Sequence, residues 1–131
     1  MTFELTILAL AGLLHIGQFA FASYRANVDV GTEYSLGPRD HMPTQQMRPA
    51  TARLMRAYDN SAVMLPLFGL AVLLIAVTDQ STMVTKSAAA IYLAARVLYT
   101  PAYALGWQPW RSVIWIVALA CCALLYFAAL F

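Results

Sequence analysis

Residues 92–115, YLAARVLYTPAYALGWQPWRSVIW, place two arginines and three tyrosines inside a chain that is otherwise almost all hydrocarbon. A guanidinium group in lipid is costly enough to need a reason. On a helix, Tyr92, Arg96, Tyr99 and Tyr103 follow one another by four, three and four residues and form one polar stripe. Pro101, in the same stretch, removes a backbone donor and weakens the helix near Val97. After Gly106 the chain turns and restarts at Pro109, with Arg111 in the first turn of the next helix, a position that favours anions. Arginines and tyrosines gathered at a helix start suit a ligand carrying carboxylates or a thiolate.

The elements that position these groups follow from composition. Of 131 residues, 62% are hydrophobic and 11% charged, outside the range of a soluble globular domain. Four apolar segments, residues 3–24, 61–77, 83–105 and 113–131, are each about long enough to cross a bilayer as a helix. Nothing alternates as a membrane barrel requires. The expected fold is an all-α integral membrane protein, an up-and-down bundle of four transmembrane helices forming one domain over residues 1–131. The first segment carries Glu4 and no Lys or Arg, so the positive head of a signal peptide is missing despite the small-x-small Ala20-Phe21-Ala22.

The net charge of +2 says little, but its distribution is informative. Arg25, Arg39, Arg48, Arg53 and Arg56 lie between the first two spans, and Arg96 and Arg111 flank the third connection, while Lys86 alone serves the second loop. The positive-inside rule puts the first loop, residues 25–52, and the third connection in the cytoplasm with both termini outside. Trp107, Trp110 and Trp115 surround that third connection, where indole favours the membrane interface. No aromatic-basic interleaving suggests nucleic acid. Cys121 and Cys122 are adjacent, which strains a bridge, and read as inert buried thiols; no metal-ligand spacing occurs.

In the first span His15 and Gln18 share a face, suited either to a ligand or to a hydrogen bond with another helix. Gly37-Pro38-Arg39-Asp40 reads as a turn in the long loop, and His41 has no second metal ligand beside it. That loop is either a solvated connection or a partial cap over a pocket, with Arg39 reaching inward. From Thr51 a helix begins in water and runs into the second span, setting Arg53, Arg56 and Asn60 on one inward face. Asp59 is placed to pair with Arg56 along the helix or with Arg96 across helices, and Pro66 is expected to bend the span.

Arg56-x3-Asn60-x5-Pro66, then Arg96-x2-Tyr99-x3-Tyr103, then Arg111-Ser112 resemble, in register, the MAPEG family of membrane-associated proteins in eicosanoid and glutathione metabolism, most closely its bacterial microsomal glutathione transferase type. The resemblance spans nearly the whole chain. It implies a homotrimer in a bacterial inner membrane, with glutathione held between subunits near the cytoplasmic face. By position, Arg56, Asn60, Arg96 and Tyr99, with Arg39 from the loop, would bind glutathione. Arg111 would stabilise the thiolate, with Tyr103 beside it in the catalytic pair. The implied activity is glutathione-dependent transfer or peroxide reduction on lipophilic electrophiles or lipid hydroperoxides. Independently, two carboxylates suit guanidinium groups, and a cation at a helix start lowers a thiol's pKa.

One position departs from the pattern. Val63 stands where family members commonly carry Glu three residues after the asparagine, which removes a counter-ion for Arg56 or Arg96. The alternative function is therefore a non-catalytic subunit of the same fold, packing in a larger membrane complex or binding membrane lipid. A proton-coupled transporter lacks its mid-span carboxylate, and a disulfide or quinone oxidoreductase lacks its CxxC.

Overall fold

A computed structural model describes residues 1–31, 36–38, 48–106 and 109–131. They form four long helices, α1 (Phe3–Val30), α2 (Pro49–Val77), α3 (Met83–Ala104) and α4 (Trp110–Leu130), with no strand among the described residues. Short connections reverse the chain after α2 and after α3, as an up-and-down bundle requires. Every pair of helices packs together except α1 and α4, which do not touch among the described residues. The α2–α3 pair therefore forms the middle of the bundle.

Helix boundaries follow local chemistry. Thr2 caps α1 by accepting the Leu5 N–H at 3.3 Å. Its C-terminus is set by Gly31, whose φ of 92° is readily adopted only without a Cβ. Thr82 and Thr85 make a reciprocal capping box at the start of α3. Pro66 and Pro101 are both accommodated inside continuous helices.

The first two helices extend further than the apolar pattern indicates. α1 continues past residue 24 to Val30, and α2 is already helical at Pro49. The connection read as residues 25–52 is thus helical at both ends. With 28 residues α1 is about 42 Å long, more than the hydrocarbon thickness, so one end projects into the interface. The two projecting ends are stapled: the buried carboxylate of Asp29 accepts from the Arg48 backbone N–H at 2.9 Å and from its Nε and Nη2 at 3.1 and 2.9 Å. Asp59, by contrast, is exposed and makes no ion pair with Arg56 or Arg96. Water screens such a pair and leaves little to hold it. Replacing Asp29 by alanine is expected to lower the thermal midpoint more than replacing Asp59, a ranking that a melting series by circular dichroism checks.

α1, α2 and α4 are long and apolar enough to cross a membrane, whereas α3, diluted by Lys86, Arg96 and its tyrosines, falls below that level. It packs against all three other helices. Its interior face carries Ala88, Ala89 and Ala95, small enough for close helix approach, together with Tyr92. Tyr92 stacks on Phe68 of α2, centroids 3.9 Å apart and planes 6° from parallel, and both rings are fully buried. Ile7 and Ala11 of α1 and Ala118, Cys121, Cys122 and Leu125 of α4 complete the core, the cysteines as free buried thiols. Leucines and isoleucines such as Leu13, Ile16, Leu70, Ile91 and Ile116 face outward, as a bilayer allows.

At the end of the bundle holding the N-terminus, Glu4 is fully buried and accepts from Ser81 Oγ at 2.7 Å and Thr85 Oγ1 at 2.6 Å. A carboxylate at the start of α3 also meets the positive end of its dipole. This docks α1 onto the turn before α3 and keeps the Glu4 carboxylate out of lipid.

Candidate functional site at the arginine-rich end

At the opposite end of the bundle, Arg56 and Asn60 of α2, Tyr99 and Tyr103 of α3, and Arg111, Ser112 and Trp115 of α4 surround an open pocket of about 370 Å³. That volume lies within the range of small-molecule sites. Three different helices supply the wall, so the pocket exists only when the bundle is assembled.

Tyr103 is its centre. Arg56 Nε donates to Tyr103 Oη at 3.1 Å, and the Arg111 guanidinium carbon lies 4.8 Å from the Tyr103 ring centroid. Tyr103 thus contacts both cations, accepting from Arg56 through its hydroxyl and attracting Arg111 through its ring. Because Tyr103 Oη accepts from Arg56, its own hydrogen is left to donate into the pocket. Tyr99 meets Tyr103 edge-on, centroids 5.7 Å apart at 67°, which fixes the Tyr103 ring from behind. Asn60 contributes a buried Oδ1 without a partner among the described residues.

Arg96 is placed differently from the other members of the polar stripe. It is only 3% exposed and lies behind Tyr99, its guanidinium carbon 4.3 Å from that ring, with Nη2 donating to Ser61 Oγ of α2 at 2.7 Å. It supports the pocket wall instead of lining it. Of the residues singled out from sequence, Arg56, Asn60, Tyr99, Tyr103 and Arg111 come together around one pocket; Arg39 and His41, with the cap they would form, lie outside the described residues, as does Trp107. Trp115 lines the pocket, although its type suggested only a membrane interface. The signal was its position four residues after Arg111, on the same face of α4. In α1, Gln18 Nε2 donates to Thr100 Oγ1 of α3 at 2.6 Å, while His15 stacks on Tyr58, centroids 4.9 Å apart. Both polar residues of that span therefore serve contacts between helices. Among the described residues no cluster of His, Cys, Asp or Glu has the makings of a metal site.

The model of the MAPEG family matches residues 2–131 of the chain. The chain belongs to the MAPEG family. No curated protein and no solved structure matches it. As a MAPEG member with three helices apolar enough to span a bilayer, it is an integral membrane protein. Membership covers the fold from end to end, and the pocket at the arginine-rich end is a feature of this chain's own side chains.

Proposed function

We propose that this MAPEG protein is a glutathione-dependent transferase or peroxidase for lipophilic substrates, with its site in the pocket around Tyr103. The observation that carries the reading is the pair of cations, Arg56 at the hydroxyl and Arg111 at the ring, that both contact one tyrosine whose hydroxyl hydrogen is left to donate. The donor set fits glutathione: guanidinium groups for its carboxylates, and the unpartnered Asn60 Oδ1 for an amine or amide N–H. Bound there, glutathione supplies a sulfur nucleophile. Arg56 and Asn60 hold and orient the tripeptide from α2. Arg111, in the first turn of α4, stabilises negative charge on sulfur and so favours loss of the thiol proton. The Tyr103 hydroxyl donates a hydrogen bond to the same charge. Trp115 offers an apolar wall for the second substrate.

The arginine-rich end faces the cytoplasm on this reading, by the basic residues at both of its connections. Trimer formation is supported by α2, which exposes Val63, Leu67, Leu70, Leu74 and Val77 at alternating spacings of four and three. This apolar seam suits packing of α2 against a neighbouring subunit. Leu70→Glu is expected to convert the trimer to monomers in detergent, read by light scattering. A second reading, a non-catalytic membrane subunit, is favoured by one observation: Val63, 64% exposed, is an aliphatic side chain in that seam.

Tyr103→Phe separates the two readings by activity. In conjugation of glutathione to a lipophilic nitroarene halide, the wild type is expected to turn over, and the variant to lose about 10²-fold in kcat with unchanged helicity. No turnover by the wild type with either electrophiles or lipid hydroperoxides contradicts the enzyme reading.

A further inference from the structure

A second, smaller and partly open cavity of about 10 Å³ lies between α1, α2 and α3 and is bordered by His15, Gln18, Ser61, Tyr92 and Arg96. Two buried nitrogens at its border, Arg96 Nη1 and His15 Nδ1, have no hydrogen-bond partner among the described residues. Arginine does not lose its proton in proteins, so Arg96 places a full positive charge inside the bundle. No carboxylate pairs with it among the described residues; the Tyr99 ring and the Ser61 hydroxyl are its contacts. A cation-π contact and a neutral hydrogen bond offset only part of the cost of burying such a charge.

The groups around the cavity are mainly donors. Arg96 Nη1 can only donate. Ser61 Oγ accepts from Arg96 Nη2, which leaves its own hydrogen to donate. Tyr92 adds a hydroxyl, and His15 in the Nδ1–H tautomer adds another donor. Gln18, whose amide nitrogen donates to Thr100, keeps one acceptor, its Oε1, among these donors. A convergence of donors around one cation is the polarity of an anion site, and about 10 Å³ is space of the order of one water-sized or monatomic ligand.

We propose that this cavity binds one monovalent halide, chloride in the cell, as the counter-ion of Arg96. The site is one layer beneath the pocket around Tyr103 and is separate from it, so it stands whether or not glutathione is the substrate. The anion supplies a negative charge beside Arg96, and it ties α1 through His15 to the α2–α3 pair. Chloride thereby becomes a structural ligand that sets how firmly the wall behind Tyr99 is held.

The test uses bromide as the probe, on the purified protein in detergent. At constant ionic strength, replacing gluconate by bromide or chloride is expected to raise the thermal midpoint saturably, by roughly 5 °C. In Arg96→Met that halide dependence is expected to vanish. Equal midpoints in gluconate and halide, or a halide effect kept in Arg96→Met, overturns the proposal. Should Arg96→Met fail to fold, wild-type crystals grown in bromide decide the matter. An anomalous peak between Arg96 and His15 supports the site, and density there without anomalous signal assigns it to water and overturns it.

Discussion

Arg111→Ala is expected to abolish the thiolate absorbance of bound glutathione and to lower the rate of conjugation by about 10²–10³-fold, while leaving the size of the detergent-solubilised assembly unchanged. Arg111 lies in the first turn of α4, its guanidinium against the Tyr103 ring and its backbone close to the positive end of the helix dipole. Removing it takes away the cation that most directly favours a charged sulfur. Arg56 remains hydrogen-bonded to the Tyr103 hydroxyl, so the ligand is expected still to be held while its thiol keeps its proton at neutral pH. The change therefore falls on kcat more than on KM. No core contact is lost, because Arg111 packs on a pocket wall and not in the interior. Ultraviolet difference spectra of the wild type and variant with glutathione check this. Thiolate absorbance retained by Arg111→Ala removes that residue from the mechanism.

Phe68→Ala carries the largest expected effect on stability, a loss of about 3–5 kcal/mol. Phe68 is fully buried in α2 and stacked flat on Tyr92, so its removal opens a cavity in the core between α2 and α3. Tyr92 begins the stripe that continues through Arg96 and Tyr99 to Tyr103. When it tilts into the space left, α3 shifts against α2 and the two sides of the pocket come out of register. A lower midpoint is therefore expected together with weaker ligand binding, and Phe68→Leu, which fills much of the volume, is expected to recover most of both. Thermal unfolding monitored by circular dichroism, with both variants side by side, measures the effect. A midpoint for Phe68→Ala within a degree or two of the wild type contradicts the central place given to this stack.

The stripe on α3 was legible because helical periodicity converts spacing into direction, and Tyr92, Arg96 and Tyr99 are buried on one face with Tyr103 half-buried at its end. Depth is another matter. Spacing did not distinguish Tyr103, which lines the pocket, from Arg96, which lies behind it, because depth depends on where α2 crosses α3. The ends of α1 and α2 were hidden for a related reason. Residues 25–30 alternate Arg25, Asn27 and Asp29 with small apolar residues and read as loop, yet they stay helical because the helix leaves the hydrocarbon before it ends and Gly31 stops it. The Asp29–Arg48 staple joins residues on either side of the long connection, beyond the reach of any helical spacing rule, whereas the local spacing that favoured Asp59 with Arg56 gave an exposed aspartate without that pair. Cys121 and Cys122 were read correctly as buried free thiols, since adjacency alone already disfavoured a bridge.

Calorimetric titration of glutathione into the purified protein in detergent tests the central claim, run beside Arg56→Ala and Val63→Glu. The account predicts saturable binding by the wild type, on the order of millimolar or tighter, and at least about tenfold weaker binding by Arg56→Ala. Binding by Val63→Glu alone, with none by the wild type, contradicts the account and makes the pocket the relic of a site in a membrane subunit with another role.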